Sequence, residues 1–108
     1  MNTRRERIEA MLRDEPHDVF LRYSLAMEMV SDGQIEEAIA QFQQLTCESP
    51  PHVPAFFRCG QLLAECGKVE EARRFLREGI EAARAQQDLH AAAEMSEMLQ
   101  ALGELGEG

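Results

Sequence analysis

The feature that most constrains this chain is that it matches itself at an offset of 34 residues. Laid over residues 50–83, residues 16–49 place Pro16 on Pro50, Val19 on Val53, Ala26 on Gly60, Met29 on Leu63 and Phe42 on Leu76. The run Gly33-Gln34-Ile35-Glu36-Glu37-Ala38 falls on Gly67-Lys68-Val69-Glu70-Glu71-Ala72. Each shared position has a physical role. Proline cannot donate within a helix, so Pro16 and Pro50 separate one helix from the next. Gly33 and Gly67 suit a sharp turn between antiparallel helices, where a positive φ is needed. The Glu pairs after each glycine sit in a first helical turn, where negative charge meets the positive end of the helix dipole. Ala26/Gly60 and Ala38/Ala72 are small enough for helices to cross closely. The larger apolar residues recur three and four apart and fill the space between them. Each unit is therefore a pair of helices that buries its apolar faces by stacking on the next pair.

A 34-residue helix-turn-helix unit, with small residues at the crossing and proline at the boundary, resembles the tetratricopeptide repeat. The resemblance covers residues 16–50 and 50–84, about two thirds of the chain. It implies an all-α fold of antiparallel helix pairs, stacked as a short right-handed α-solenoid with terminal capping helices. The sequence departs from the family pattern in two places. The usual tryptophan of the first helix is Arg22 in one unit and Phe56 in the other, and Gly79 stands where a small packing residue is usual.

The flanks read as half-units. Residues 3–14 form a short amphipathic helix with Ile8, Met11 and Leu12 on one side, in the place of a preceding unit's second helix. Residues 88–103 form a last helix capped by Asp88, and the tail at 104–108 is expected to fray. One domain over 1–108 is expected: an N-terminal helix in 1–15, repeats at 16–49 and 50–84, a capping helix in 85–103, and the tail. Helices are expected near 3–14, 18–31, 35–47, 52–66, 69–85 and 88–103.

Composition narrows the function. Apolar residues make up 44% and charged residues 29%, the proportions of a folded globular chain. A net charge of −9 repels phosphate backbones, so nucleic acid is not an expected partner. The cluster Arg4, Arg5, Arg7 is broken by Glu6 and reads as a solvated helix face. No apolar run follows these arginines and none approaches a membrane span, so neither an export leader nor a membrane partner is expected. Cys47, Cys59 and Cys66 are odd in number and lack CxxC spacing, which suits free thiols in the cytoplasm.

The family resemblance implies that first helices of successive units line a concave groove while second helices form the back. The groove stripe would then be Phe20, Tyr23, Met27 and Val30 in the first unit, and Pro54, Phe57, Gln61 and Ala64 in the second, with Arg58 beside it. The capping helix would add Ala91, Met95 and Met98. Such a surface suits an amphipathic helix or an extended apolar peptide, although some of these residues are equally suited to packing on neighbouring helices. The expected function is a protein–protein interaction adaptor, with a protein or peptide partner and no cofactor. The Lys-Asn-Arg clamp by which some family members hold chaperone tails is not expected, because Tyr23 and Met27 occupy its first-unit places and Arg58 alone survives.

The alternative is a homo-oligomerisation or structural unit, with at most weak self-association. Met95, Met98, Leu102 and Leu105 fall on one stripe of the last helix, and Leu89, Ala92, Ala93, Ser96 and Leu99 on another. If the second stripe faces the preceding repeat, the first is left for another copy or a further domain. An enzyme is not expected. His17, His52 and His90 stand alone, with surface or capping roles at helix starts for the first two. Cys59 and Cys66 are seven apart and read as small packing residues, so no metal site is expected. No phosphate loop, nucleophile elbow or HExxH motif occurs, and the Glu pairs belong to helix N-termini.

Overall fold

Six helices follow one another: α1 Arg4–Asp14, α2 Val19–Ser31, α3 Ile35–Thr46, α4 Val53–Glu65, α5 Val69–Ala85 and α6 Leu89–Gly106. The computed structural model describes residues 3–106, with side chains described through Gly103, and these residues contain no strand. Consecutive helices pack on one another, and α4 also reaches α6.

Local chemistry sets the helix ends. The Thr3 hydroxyl accepts from the Glu6 amide at 3.1 Å while the Glu6 carboxylate accepts from the Thr3 amide at 3.2 Å, a reciprocal cap. Asp18 Oδ1 accepts from the Leu21 amide at 2.9 Å, and Asp88 Oδ1 from the Ala91 amide at 3.1 Å. Gly33 and Gly67 adopt φ of 79° and 81°. Beside them the Gln34 amide donates to the Met29 carbonyl and the Lys68 amide to the Leu63 carbonyl, each at 2.8 Å. These bonds close α2 and α4 through the six-to-one bond of a left-handed C-terminal cap. The junction between α5 and α6 uses the same device without a glycine. Gln87 has φ 61°, and the Asp88 amide donates to the Ala83 carbonyl at 2.8 Å. Arg84 stands there at the repeat position that Pro50 holds one unit earlier, so nothing stops the helix early. Accordingly α5 runs for 17 residues where α3 has 12.

The two units pack differently. In the second, the small residues are taken to their limit. A Cβ on Gly79 would lie 2.5 Å from Phe56 Cβ and 2.5 Å from Met95 Sδ, and one on Gly60 would lie 2.6 Å from Leu76 Cδ2. The helices α4, α5 and α6 therefore meet with no spare volume. In the first unit Arg22 occupies the position of Phe56 and pairs with Glu48 at 3.1 Å. At the N-terminal end only Ile8 of α1 is buried. Ion pairs supplement it: Arg4 to Glu28 at 2.9 Å and Arg5 to Asp32 at 2.8 Å, with Arg5 also bonded to Gln34. The arginine cluster is thus a clasp between α1 and α2 rather than a purely solvated face.

The expected stripes of α6 need correction. Met95 is 1% exposed and Leu102 6%, and with Ala92 they belong to the chain's own core. Leu89 is 70% exposed, and Ala93 and Ser96 are exposed as well. Met98 and Leu99 are half-buried against the core. The buried line is Ala92, Met95 and Leu102, with the half-buried Leu99 beside it, between the two expected ones. The cause is Gly79, whose missing side chain leaves the hollow that the Met95 thioether fills, fixing the rotation of α6. Met95 and Leu102 therefore offer no face to a second copy. Helix α6 also continues to Gly106 instead of ending near Gly103, while the Leu105 side chain and residues 107–108 of the expected tail lie outside the described residues. Cys59 is buried, with its thiol pKa pushed up to about 12 by burial, whereas Cys66 is exposed, so the two do not share an environment.

Candidate functional site

Helices α2, α4 and α6 are the first members of their pairs, and together they border a hollow of about 330 Å³. Tyr23 comes from α2, and Val53, Pro54, Phe57 and Arg58 from α4. Asp88 and the α6 residues His90, Ala91, Glu94 and Met95 close the far side. The floor is apolar and the rim is charged, with a cation on the α4 side and carboxylates on the α6 side. The volume is at the small end for ligand pockets and fits one or two side chains.

Each rim group is held by its neighbours. The Tyr23 ring meets Phe42 edge-on at 5.3 Å between centroids and His52 at 5.1 Å. Its hydroxyl accepts from Arg58 Nε at 3.4 Å, and Arg58 donates a second bond from its terminal guanidinium to Gln61 Oε1 at 2.8 Å. The guanidinium is thereby fixed at the edge of the hollow, with donors to spare. Across from it, His90 Nε2 lies 3.1 Å from Glu94 Oε1, one helical turn away. The His52 imidazole is half-buried between Tyr23 and Phe20, and that burial lowers its pKa and favours the neutral ring.

The expected groove residues separate into three groups. Tyr23, Phe57 and Arg58 come together in the hollow, joined by Pro54, Ala91 and Met95. Gln61 acts on Arg58 from behind, and Met27, Val30, Ala64 and Met98 pack half-buried against the core. Phe20 is elsewhere: 76% exposed, it lines a separate hollow with Met11 and Leu21, and its ring meets His52 edge-on at 6.1 Å between centroids. His52, Asp88, His90 and Glu94 were not foreseen as part of this region. Only the His90–Glu94 spacing of four gave a signal. His52 follows Pro51 at a helix start, which suggested a cap, yet its side chain makes no capping bond.

Among the described residues, no group of three or more His, Cys, Asp and Glu side chains could hold a metal ion, and no helix is long and apolar enough to cross a membrane. Stacked helix pairs whose first helices share one hollowed face define the class of α-solenoid repeat proteins. The family model described as tetratricopeptide repeat matches residues 29–104, and the chain belongs to that family. The fold is similar to the solution structure of a tetratricopeptide repeat domain protein from Salinibacter ruber, with TM-score 0.79 and 27% identity over 83% of this chain and 91% of that one. It is also similar to a solution structure of a Bordetella parapertussis protein, with TM-score 0.81 and 25% identity over 96% of this chain and 90% of that one. No curated protein matches the chain. Tetratricopeptide-repeat domains generally serve as protein–protein interaction modules and scaffolds rather than catalysts.

Proposed function

We propose that this chain is a cytoplasmic adaptor that takes an apolar side chain from a partner's helix or extended peptide into the hollow bordered by α2, α4 and α6. The observation that carries this is the convergence of Tyr23, Phe57, Ala91 and Met95 on one cavity beside a fixed guanidinium, that of Arg58. Stacked helices preorganise such a surface, so little ordering entropy opposes binding. The apolar floor supplies affinity, and Arg58 facing Asp88 and Glu94 sets the direction in which a peptide lies. The free thiols of Cys47, Cys59 and Cys66 suit a reducing compartment.

The test avoids Tyr23, because that ring also packs on the fully buried Phe42. Phe57→Ala combined with Arg58→Glu changes the hollow and leaves that contact alone. Partners captured from a lysate of the protein's own cells, compared by mass spectrometry between wild type and this folded double variant, should include proteins lost only with the variant. Identical sets of captured proteins would count decisively against the groove.

A further inference from the structure

A second surface lies at the corner where α1 turns into α2. Two of the three large apolar side chains left exposed among the described residues meet there: Met11 at 48% and Phe20 at 76%. With Leu21 they line an open hollow of about 390 Å³, and the remaining lining residues are Asp14, Glu15 and Asp18. Met11 was expected on the inner side of α1 beside Ile8, but Ile8 alone is buried. No Lys or Arg lines this hollow. Arg13 lines a different one with Glu6 and Glu9, and Arg22 is paired with Glu48. An apolar patch ringed by carboxylates, of which Asp18 also caps α2, and lined by no Lys or Arg, is a surface of one sign.

We propose that this corner docks a cationic amphipathic segment of another protein: an apolar anchor seated between Met11 and Phe20, flanked by Lys or Arg facing Asp14, Glu15 and Asp18. Charge selects this occupant. A second copy carries net charge −9 and is repelled on approach, and the chain's own C-terminal residues Glu104 and Glu107 bring the same sign as the rim. A basic partner is steered toward the corner instead, and the flexible thioether of Met11 adapts to differently shaped anchors. This surface is separate from the Tyr23–Phe57 hollow and does not depend on it.

The test uses a short synthetic helical peptide with Leu on one face and Lys flanking it, a second peptide with Glu in place of Lys, and a third with Ser in place of Leu. Fluorescence anisotropy should show that only the Lys/Leu peptide binds, and that Met11→Ser/Phe20→Ser weakens it by about tenfold or more. Binding should also weaken as salt rises and the Debye length shortens from about 30 Å to about 8 Å. Reversal at the rim, Asp14→Lys/Glu15→Lys, should transfer preference to the Glu/Leu peptide, while Phe57→Ala/Arg58→Glu should leave binding unchanged. Because Met11 and Phe20 are exposed, the first variant retains the wild-type melting curve, which separates lost docking from lost folding. Equal binding of the Lys/Leu and Lys/Ser peptides would overturn the proposal, as would an equal loss on reversing the distant exposed pair Glu36 and Glu37, since either outcome marks general counter-ion attraction. Self-association that disappears in Met11→Ser/Phe20→Ser would assign the corner to a second copy and overturn it too.

Discussion

Positions 22 and 56 are equivalent under the 34-residue offset, and they solve the same packing problem in opposite ways. In the first unit Arg22 spans the site as an ion pair with Glu48, whose own side chain is partly solvated. In the second, Phe56 is buried against a helix that carries glycine at position 79 so that the two backbones can close. The difference extends outward from each site. Toward the N-terminus, α1 is held by Ile8 and a clasp of arginines. Toward the C-terminus, α4, α5 and α6 are held by interlocking apolar side chains, Met95 among them. One repeat motif thus accommodates a polar, adjustable joint and a dry, close-packed one. The dry joint is expected to carry most of the stability, because apolar burial contributes more than a partly exposed ion pair.

The largest effect that could break this comparison is expected at Phe56. Phe56→Ala removes a ring from a site that cannot collapse, and it should cost about 3–5 kcal/mol in urea unfolding. Next comes Gly79→Ala. Alanine gains about 1 kcal/mol of helix propensity, but its Cβ meets Phe56 Cβ, an atom that no side-chain rotation can move away. A net loss of about 1–2 kcal/mol is expected. Gly60→Ala should cost a similar or slightly smaller amount, because its Cβ meets Cδ2 and Cγ of the fully buried Leu76, side-chain atoms that can shift only with the packing around them. The smallest effect is expected at Arg22. Arg22→Ala should cost no more than about 1 kcal/mol, and that cost should shrink as salt rises. A loss at Arg22 as large as that at Phe56 would show that the two joints are energetically alike, and the contrast would fail.

The repeat made most of the fold legible. Gly33 and Gly67 marked two turns, Pro16 and Pro50 two boundaries, and each worked through backbone chemistry that a sequence states directly. The third boundary was legible through the Asp88 cap, although the turn itself was not, because Gln87 takes the left-handed conformation without being glycine and Arg84 replaces the proline. The phase of α6 was misread for a related reason. Its apolar residues are too many to define one face, and the deciding feature was a missing side chain on another helix, at Gly79. The candidate site was legible on α2 and α4, where the repeat aligns Tyr23 with Phe57. On α6 it was legible in part: Ala91 and Met95 of the expected stripe line the hollow, whereas Met98 packs against the core and His90 and Glu94 join from outside that stripe. The corner at Met11 and Phe20 was hidden because a periodic pattern assigns both residues to faces, whereas both stay exposed around one hollow where α1 gives way to α2.

The seating of Met95 over Gly79 also bears on oxidation. Thioether oxidation follows exposure, and a sulfoxide is polar where the thioether is apolar. Peroxide therefore reaches Met11 at the surface well before Met95 in the interior. Between these two, the earlier lesion falls on a surface edge where a polar group leaves the fold intact and would touch only docking at that corner. The sulfur that fills the glycine hollow is shielded, and the close-packed half keeps its chemistry for as long as it stays folded.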